Sequence, residues 1–208
     1  MFKKILNYII KVVKAPHKEV AKPQGLSWGE IILTFVILSF FIALISIIFG
    51  GGIGFFIAIA AAISGIVINF ILYAIYLGVI LFILKVMSQT VNAKDLTETF
   101  LTSIVPIFIL TIILALLSPI LGSTVKVSLI INLLFALLNA YLFFLGLKGR
   151  FLIPQQKSAI VAGVLVVLLM ILPIYMYKKA GEVSGTMESI EQSVEELQKQ
   201  MEEMTPSE

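Results

Sequence analysis

Five long apolar segments, separated by short polar ones, dominate the pattern of hydrophobic and polar positions along the chain. They cover about 29–49, 53–84, 95–122, 125–147 and 158–177. A bilayer core about 30 Å thick needs about 20 helical residues, so four of the segments have the length of one span. The second segment is longer and must tilt, bend or project beyond the bilayer. The pattern predicts an all-α, polytopic membrane protein with a bundle of five transmembrane helices.

The first 28 residues form a separate N-terminal region, which begins with the peptide MFKKILNYIIKVVK. At 100° per residue this peptide is amphipathic. One face holds Phe2, Ile5, Leu6, Ile9, Val12 and Val13, and the other holds Lys3, Lys4, Asn7, Lys11 and Lys14. Such a helix is expected to lie in the membrane interface, with its lysines toward anionic headgroups, and to end at Pro16. A cleaved signal peptide is the alternative, and the lysines that interrupt its apolar run argue against it.

Two polar stretches mark the starts of spans. Ser27 and Glu30 have the S-x-x-E spacing of a capping box, with Trp28 placed as an aromatic anchor at the interface. Asp95 and Glu98, in the stretch NAKDLTETF, are spaced as a helix N-cap and its partner at the start of the third span. As a catalytic acid–base pair they would need a histidine, an arginine or a metal site nearby, and none is close in sequence. We therefore interpret both as helix caps.

Positive charge is concentrated in alternate loops. Eleven of the fifteen Lys and Arg residues lie before the first span, between the second and third, or between the fourth and fifth. The positive-inside rule therefore predicts a cytoplasmic N-terminus and an outward C-terminus. We expect a multi-pass protein of the cell membrane, with a lumenal outer side as the alternative in a compartmented cell. Residues 178–208 form an acidic tail on the outer side, with apolar residues at heptad spacing. A self-associating coiled coil and a lone amphipathic helix are both open alternatives for this tail.

Small and polar residues recur at helical spacing inside two spans, and no charged residue lies near a span centre. They are Ala61, Gly65 and Asn69 in the second span and Ser128, Asn132, Ala136 and Asn139 in the fourth. Such residues typically let helices pack closely and hydrogen-bond to one another. A polar transport path is the alternative, although ion-coupled transporters usually carry a charged residue in the membrane. Pro106 and Pro173 are predicted to kink the third and fifth spans.

The residue types needed for several chemistries are missing. The chain has no cysteine and a single histidine, which excludes thiol nucleophiles, cysteine metal sites and His-pair zinc sites. We predict no catalytic residues, no metal and no cofactor. The basic residues lie in short loops between apolar segments, so we interpret them as a topology signal and expect no nucleic-acid binding. The sequence GGGIG at 50–54 lacks the lysine and hydroxyl residues of a phosphate loop and predicts a tight turn.

Two motifs resemble the Yip family of multi-pass membrane proteins, the Ypt/Rab-interacting type. One is DLTETF at the start of the third span, followed by Pro106, and the other is LFFLGLKGRFLIPQQKSAIV at 142–161. The resemblance covers roughly residues 10–177 and implies five spans, a cytoplasmic N-terminus and non-enzymatic membrane organisation. It also implies Rab-type GTPase binding, as in eukaryotic members. This chain lacks their long cytosolic N-terminal region and its D-L-Y-G-P motif, so it looks more like a prokaryotic member and we do not expect small-GTPase binding.

These observations together predict an integral membrane scaffold or adaptor, acting in membrane organisation or trafficking-like processes. Its expected partners are the lipid bilayer with its anionic headgroups, and either a second copy of the chain or other membrane proteins. A small-solute or lipid transporter, or a scramblase, is the alternative. The polar stripe of the fourth span and the two prolines motivate that alternative.

Overall fold

The computed structural model of the chain describes residues 1–49, 55–121, 125–171, 173–175 and 178–179. All regular secondary structure within these ranges is helical, as predicted. The first six helices are α1 Phe2–Lys14, α2 Pro16–Glu19, α3 Trp28–Phe49, α4 Phe55–Val86, α5 Ala93–Leu121 and α6 Val125–Arg150. A seventh helix, α7, is described over 155–171 and 173–175. The predicted turn at 50–54 and the predicted tail beyond 179 lie outside the described residues.

Four helices are long and apolar enough to cross a membrane, so the chain is a helical membrane protein. These candidate spans are Ile63–Val86, Ala93–Leu114, Leu129–Arg150 and Gln155–Tyr175. Helix α3 contributes a shorter apolar stretch, Trp28–Ile42. Helices α5, α6 and α7 extend past the predicted spans at their polar ends, because a helix continues into the interface after its apolar part has crossed the bilayer core.

Helix α5 is the centre of the bundle. It packs against α1, α2, α3, α4 and α6. In the apolar, membrane-length part of α5, 61% of the residues are buried; in the corresponding part of α4, 11% are buried. Helix α5 is therefore the element that holds the others in place, while most of α4 faces outward.

Edge-to-face aromatic pairs join four helices in the core. The ring centroids of Phe35 in α3 and Tyr73 in α4 are 5.1 Å apart. Tyr73 meets Phe100 of α5 at 5.5 Å, and Phe100 meets Phe143 of α6 at 5.9 Å. Each such pair contributes about 0.5–1.5 kcal/mol beyond its buried area. This chain of rings fixes α3, α4 and α6 around α5.

Helices α3, α5 and α7 begin, and α4 and α6 finish, at the same end of the bundle, here named the N-terminal end. Helix α1 packs there against α5, and α2 packs against both α5 and α6. Helix α1 ends at Lys14 and α2 starts with Pro16, so the prediction that Pro16 ends the first helix is confirmed. The chain then turns at Gly25, whose φ of +65 favours glycine, and enters α3.

Candidate functional site

A buried ion cluster lies at the N-terminal end of the bundle. The guanidinium of Arg150, at the last residue of α6, donates to Glu98 Oε2 at 2.6 Å and to Asp95 Oδ1 at 2.7 Å. The side chains of Arg150 and Glu98 are only 7% and 2% exposed, whereas that of Asp95 is 44% exposed. Arginine suits this position because its planar fork can reach two carboxylates at once.

The second oxygen of Glu98 ties the N-terminal segment into the same cluster. Its Oε1 accepts the backbone N–H of Leu26 at 2.7 Å, just before α3 begins. Arg150 Nη1 also donates to Thr99 Oγ1 at 3.3 Å. A buried carboxylate is tolerated only when it is paired and its lone pairs are satisfied. Glu98 meets this condition and joins three segments of the chain.

The interpretation of Asp95 and Glu98 as helix caps is wrong. Helix α5 begins at Ala93, and the Asn92 side chain accepts the backbone N–H of Lys94 at 2.8 Å in the capping position. Asp95 and Glu98 therefore lie inside the helix, where they pair with Arg150. That arginine is remote in sequence from both, which is why local spacing could not identify it.

The capping box at the start of α3 is present as predicted. Glu30 Oε2 accepts the backbone N–H of Ser27 at 2.8 Å, and Ser27 Oγ accepts the backbone N–H of Glu30 at 3.3 Å. Lys4 of α1 donates to the same Glu30 oxygen at 2.7 Å and to the carbonyl of Gly25 at 3.1 Å. The cap therefore also anchors α1, a role that the local pattern did not indicate.

Helix α1 docks on α5 through a face that includes only part of the predicted apolar face. Ile5, Tyr8 and Val12 are buried, and the Tyr8 hydroxyl lies 2.9 Å from Thr102 Oγ1. Burial raises the pKa of the Tyr8 hydroxyl, so it stays protonated and can hydrogen-bond to Thr102. The sequence placed Ile5 and Val12 on one broad apolar face with Phe2 and Leu6. The structure divides that face, because Ile5 and Val12 pack with Tyr8 where α1 meets α5, while Phe2 and Leu6 stay exposed.

The rest of α1 remains exposed in two separate stripes. Phe2, Leu6 and Val13 are 67%, 53% and 41% exposed and form an apolar stripe. The lysine stripe carries Lys3, Lys11 and Lys14, all exposed, in addition to the anchored Lys4. Trp28, the first residue of α3, is 49% exposed. Helix α1 thus has three faces: one is buried against protein, one is exposed and apolar, and one is exposed and carries lysines.

Two glycines allow the close approach of α6 at this end. A β-carbon added at Gly146 would collide with Thr99 Cγ2 and would lie 3.1 Å from Val20 Cγ2. One added at Gly149 would lie 2.6 Å from the β-carbon of Ala21. These glycines, in the stretch GLKG, were not identified as packing residues because their partners lie on other elements.

A cavity of about 360 Å³ lies among five helices of the bundle. Asn69 of α4 and Asn132, Ala136 and Asn139 of α6, all singled out from the sequence, line it together with Thr111 of α5. Asn139 is buried, and its Oδ1 accepts a hydrogen bond from Ser103 at 2.7 Å. The structure therefore brings Asn69 of α4 and the two asparagines of α6 to one space.

The predicted close helix packing at Gly65 is not found in the described part of the chain. A β-carbon added there would meet nothing within 4 Å, because most of α4 faces outward. The side chains of Ala61 and Ser128 lie outside the described residues. Helix α5 continues through Pro106, and Pro173 lies beside the cavity. The predicted kinks at these two prolines stay predictions.

The described residues hold no cluster of three or more His, Cys, Asp or Glu side chains that could ligate a metal. The ion cluster contains two carboxylates, each held by Arg150. Its hydrogen bonds serve to join chain segments. The arrangement suits positioning of helices.

The fold and these sites define a class: an α-helical membrane protein of several spans, with its N-terminal segment folded onto one end of the bundle. Within that class, the model of the Yip1 domain matches residues 10–176. The chain belongs to the Yip1 domain family, and the resemblance seen in the sequence is confirmed. The match includes Glu98, Arg150 and the cavity residues. No curated protein matches the chain, and no solved structure does.

Proposed function

We propose that the chain is a non-enzymatic membrane scaffold or adaptor whose working surface is the N-terminal end of the bundle. The observation that carries this proposal is the anchoring of the N-terminal region at two places. Tyr8 and Lys4 hold α1, and the Glu98–Leu26 hydrogen bond holds the chain just before α3. These contacts hold the N-terminal segment as a fixed surface with an ordered set of lysines. A surface of fixed shape can select a partner at a lower entropic cost than a flexible tail.

The proposed topology has five spans in the cell membrane, with α3 as the first. Helix α3 has 22 residues, which at 1.5 Å per residue gives roughly 33 Å, enough to cross a bilayer core. The charge distribution favours a cytoplasmic N-terminal end. The three faces of α1 suit a helix at the interface, since its apolar stripe can enter the bilayer while its lysines meet anionic headgroups.

Site-specific photo-crosslinking in native membranes tests the adaptor proposal. A photoreactive amino acid at Lys11 should yield a discrete protein adduct. The matched control is the same group at Ile71 of α4, which is 52% exposed. It lies 15 residues before the end of α4, roughly 22 Å from the N-terminal end of the bundle, and should yield only lipid adducts. Absence of a protein adduct from Lys3, Lys11 and Lys14 alike would contradict the proposal. An identical adduct from Ile71 would move the partner contact to the membrane-facing surface of α4.

A small-solute or lipid transporter, or a scramblase, is the second candidate function, and the polar cavity favours it. Uncharged polar side chains from α4, α5 and α6 line one space inside the bundle. The test is reconstitution of the full chain in vesicles, followed by measurement of fluorescent-lipid and solute movement. Movement no faster than in protein-free vesicles would exclude this candidate.

A further inference from the structure

The polar cavity lies deep in the bundle. Depth can be counted from the N-terminal end of the bundle, where α5 starts at Ala93 and α6 finishes at Arg150. At 1.5 Å per residue, Asn139 lies roughly 16 Å from that end, and Asn132 and Thr111 lie roughly 27 Å from it. A bilayer core is about 30 Å thick. The cavity therefore extends from the middle of the membrane toward its far side.

The polar groups that line the cavity are uncharged. They are the side chains of Asn69, Tyr73, Tyr76, Thr111, Asn132 and Asn139. Amides and hydroxyls offer both donors and acceptors, which suits a ligand that has hydroxyl groups. An anionic or cationic ligand would find no opposite charge among these residues, and an unpaired charge in a low-dielectric site is costly. The chemistry of the lining selects a neutral, hydrogen-bonding ligand.

The remaining lining is apolar, and the cavity reaches the side of the bundle. Leu72, Phe108 and Leu169 lie on its walls. Asn69 and Asn132 are exposed residues of α4 and α6, in parts of these helices that lie at membrane depth. Their exposure at this depth suits entry from the bilayer, and a ligand that enters this way must combine a polar group with an apolar part.

We propose that this cavity binds a neutral lipid with a free hydroxyl group, of the diacylglycerol type. Asn69, Thr111 and Asn132 would hold the hydroxyl and ester oxygens, and the apolar walls would hold the first part of an acyl chain. The volume of about 360 Å³ is within the range of small-ligand sites and would enclose the polar part of such a lipid. The proposal concerns binding and is independent of the adaptor function.

The test uses the full chain in phosphatidylcholine nanodiscs with a diacylglycerol probe that carries a diazirine next to its ester group. Saturable labelling of the cavity-lining parts of α4, α5 and α6 is expected. In the double variant Asn69→Leu/Asn132→Leu, the probe concentration that gives half-maximal labelling should rise by about tenfold, because two hydrogen bonds are lost. The matched control, Ile68→Ala/Leu134→Ala, changes exposed neighbours outside the cavity and should label as the wild type does.

The proposal would be wrong if Asn69→Leu/Asn132→Leu were labelled as the wild type is. It would also be wrong if a phosphatidylcholine probe with the same diazirine labelled the wild type as strongly as the diacylglycerol probe does. Labelling confined to the apolar groove beside Trp28, Phe70 and Leu77 would also contradict it. Competition by free glycerol at concentrations that leave the bilayer intact would identify a soluble ligand instead of a lipid. If the double variant does not fold, competition on the wild type decides, because unlabelled diacylglycerol should displace the probe and phosphatidylglycerol should not.

Discussion

Arg150 is the only arginine of the chain, and its guanidinium binds two carboxylates of α5. Replacing it with leucine leaves the buried Glu98 without its counter-charge. We expect Arg150→Leu to lower the free energy of unfolding by about 3–5 kcal/mol. Unfolding is measured in mixed micelles, with the fluorescence of Trp28, the only tryptophan, as the readout.

The matched variants separate charge pairing from loss of packing. Arg150→Leu/Glu98→Leu removes both charges and should recover part of the loss, since an apolar pair is often as stable as a buried ion pair. Lys148→Leu, at an exposed position two residues earlier, should remain within about 0.5 kcal/mol of the wild type. Wild-type stability of Arg150→Leu would show that the ion cluster does not stabilise the fold.

Gly146 is the other residue whose role is fixed by atoms on remote elements. Gly146→Ala forces its new methyl group against Thr99 and Val20 and should cost about 1–3 kcal/mol. Gly163→Ala is the matched control, since its β-carbon would meet nothing within 4 Å in the described chain and alanine favours helix.

A second change tests the proposed collision at Gly146 directly. Thr99→Ser removes the methyl group in the way and keeps the hydroxyl that faces Arg150. The double variant Gly146→Ala/Thr99→Ser should therefore be more stable than Gly146→Ala. If Thr99→Ser brings no recovery, Val20 or the backbone is the obstacle. The same denaturation measurement distinguishes these results.

At the scale of elements, α1 is held both by protein contacts and by the proposed contact with lipid. Replacing Lys3, Lys11 and Lys14 with glutamine should leave its docking on α5 intact and weaken its lipid contact. In nanodiscs of anionic lipid, we expect the amides of α1 in this variant to exchange hydrogen faster than in the wild type, by at most about 100-fold.

The effect of the lysine variant should disappear in neutral nanodiscs and shrink at high salt, because screening shortens the range of the attraction. Lys85→Gln, an exposed lysine at the end of α4, is the matched control and should leave α1 exchange unchanged. Equal exchange of the lysine variant and the wild type in anionic nanodiscs would show that protein contacts alone hold α1.

Local patterns predicted the helices and the cap at Ser27 and Glu30, because hydrophobic periodicity and capping act within a few residues. They could not separate the protein-facing side of α1 from its apolar stripe, since both are apolar and only the position of α5 distinguishes them. They also could not pair Glu98 with Arg150, because the two meet only after α5 and α6 pack.

For the whole molecule, topology is the prediction on which the other proposals rest. The chain contains no cysteine, so single-cysteine variants can be labelled cleanly. Gln156→Cys, exposed in the first turn of α7, should resist a membrane-impermeant maleimide added from outside, while Lys178→Cys should react. Ser158 is unsuitable for this test because it is fully buried, so a cysteine there would resist the reagent from either side of the membrane. Reversed labelling of the two variants would invert the proposed orientation.

The Glu98–Arg150 pair also has a consequence for biosynthesis. The ribosome makes α5 before α6, so Glu98 emerges without its partner. At about 5–20 residues per second, Arg150 follows roughly 3–10 s later. During this interval the carboxylate stays hydrated at the membrane surface, because an unpaired charge resists burial. We therefore expect the final seating of α5 to wait until the end of α6 has been made and Arg150 can pair with Glu98.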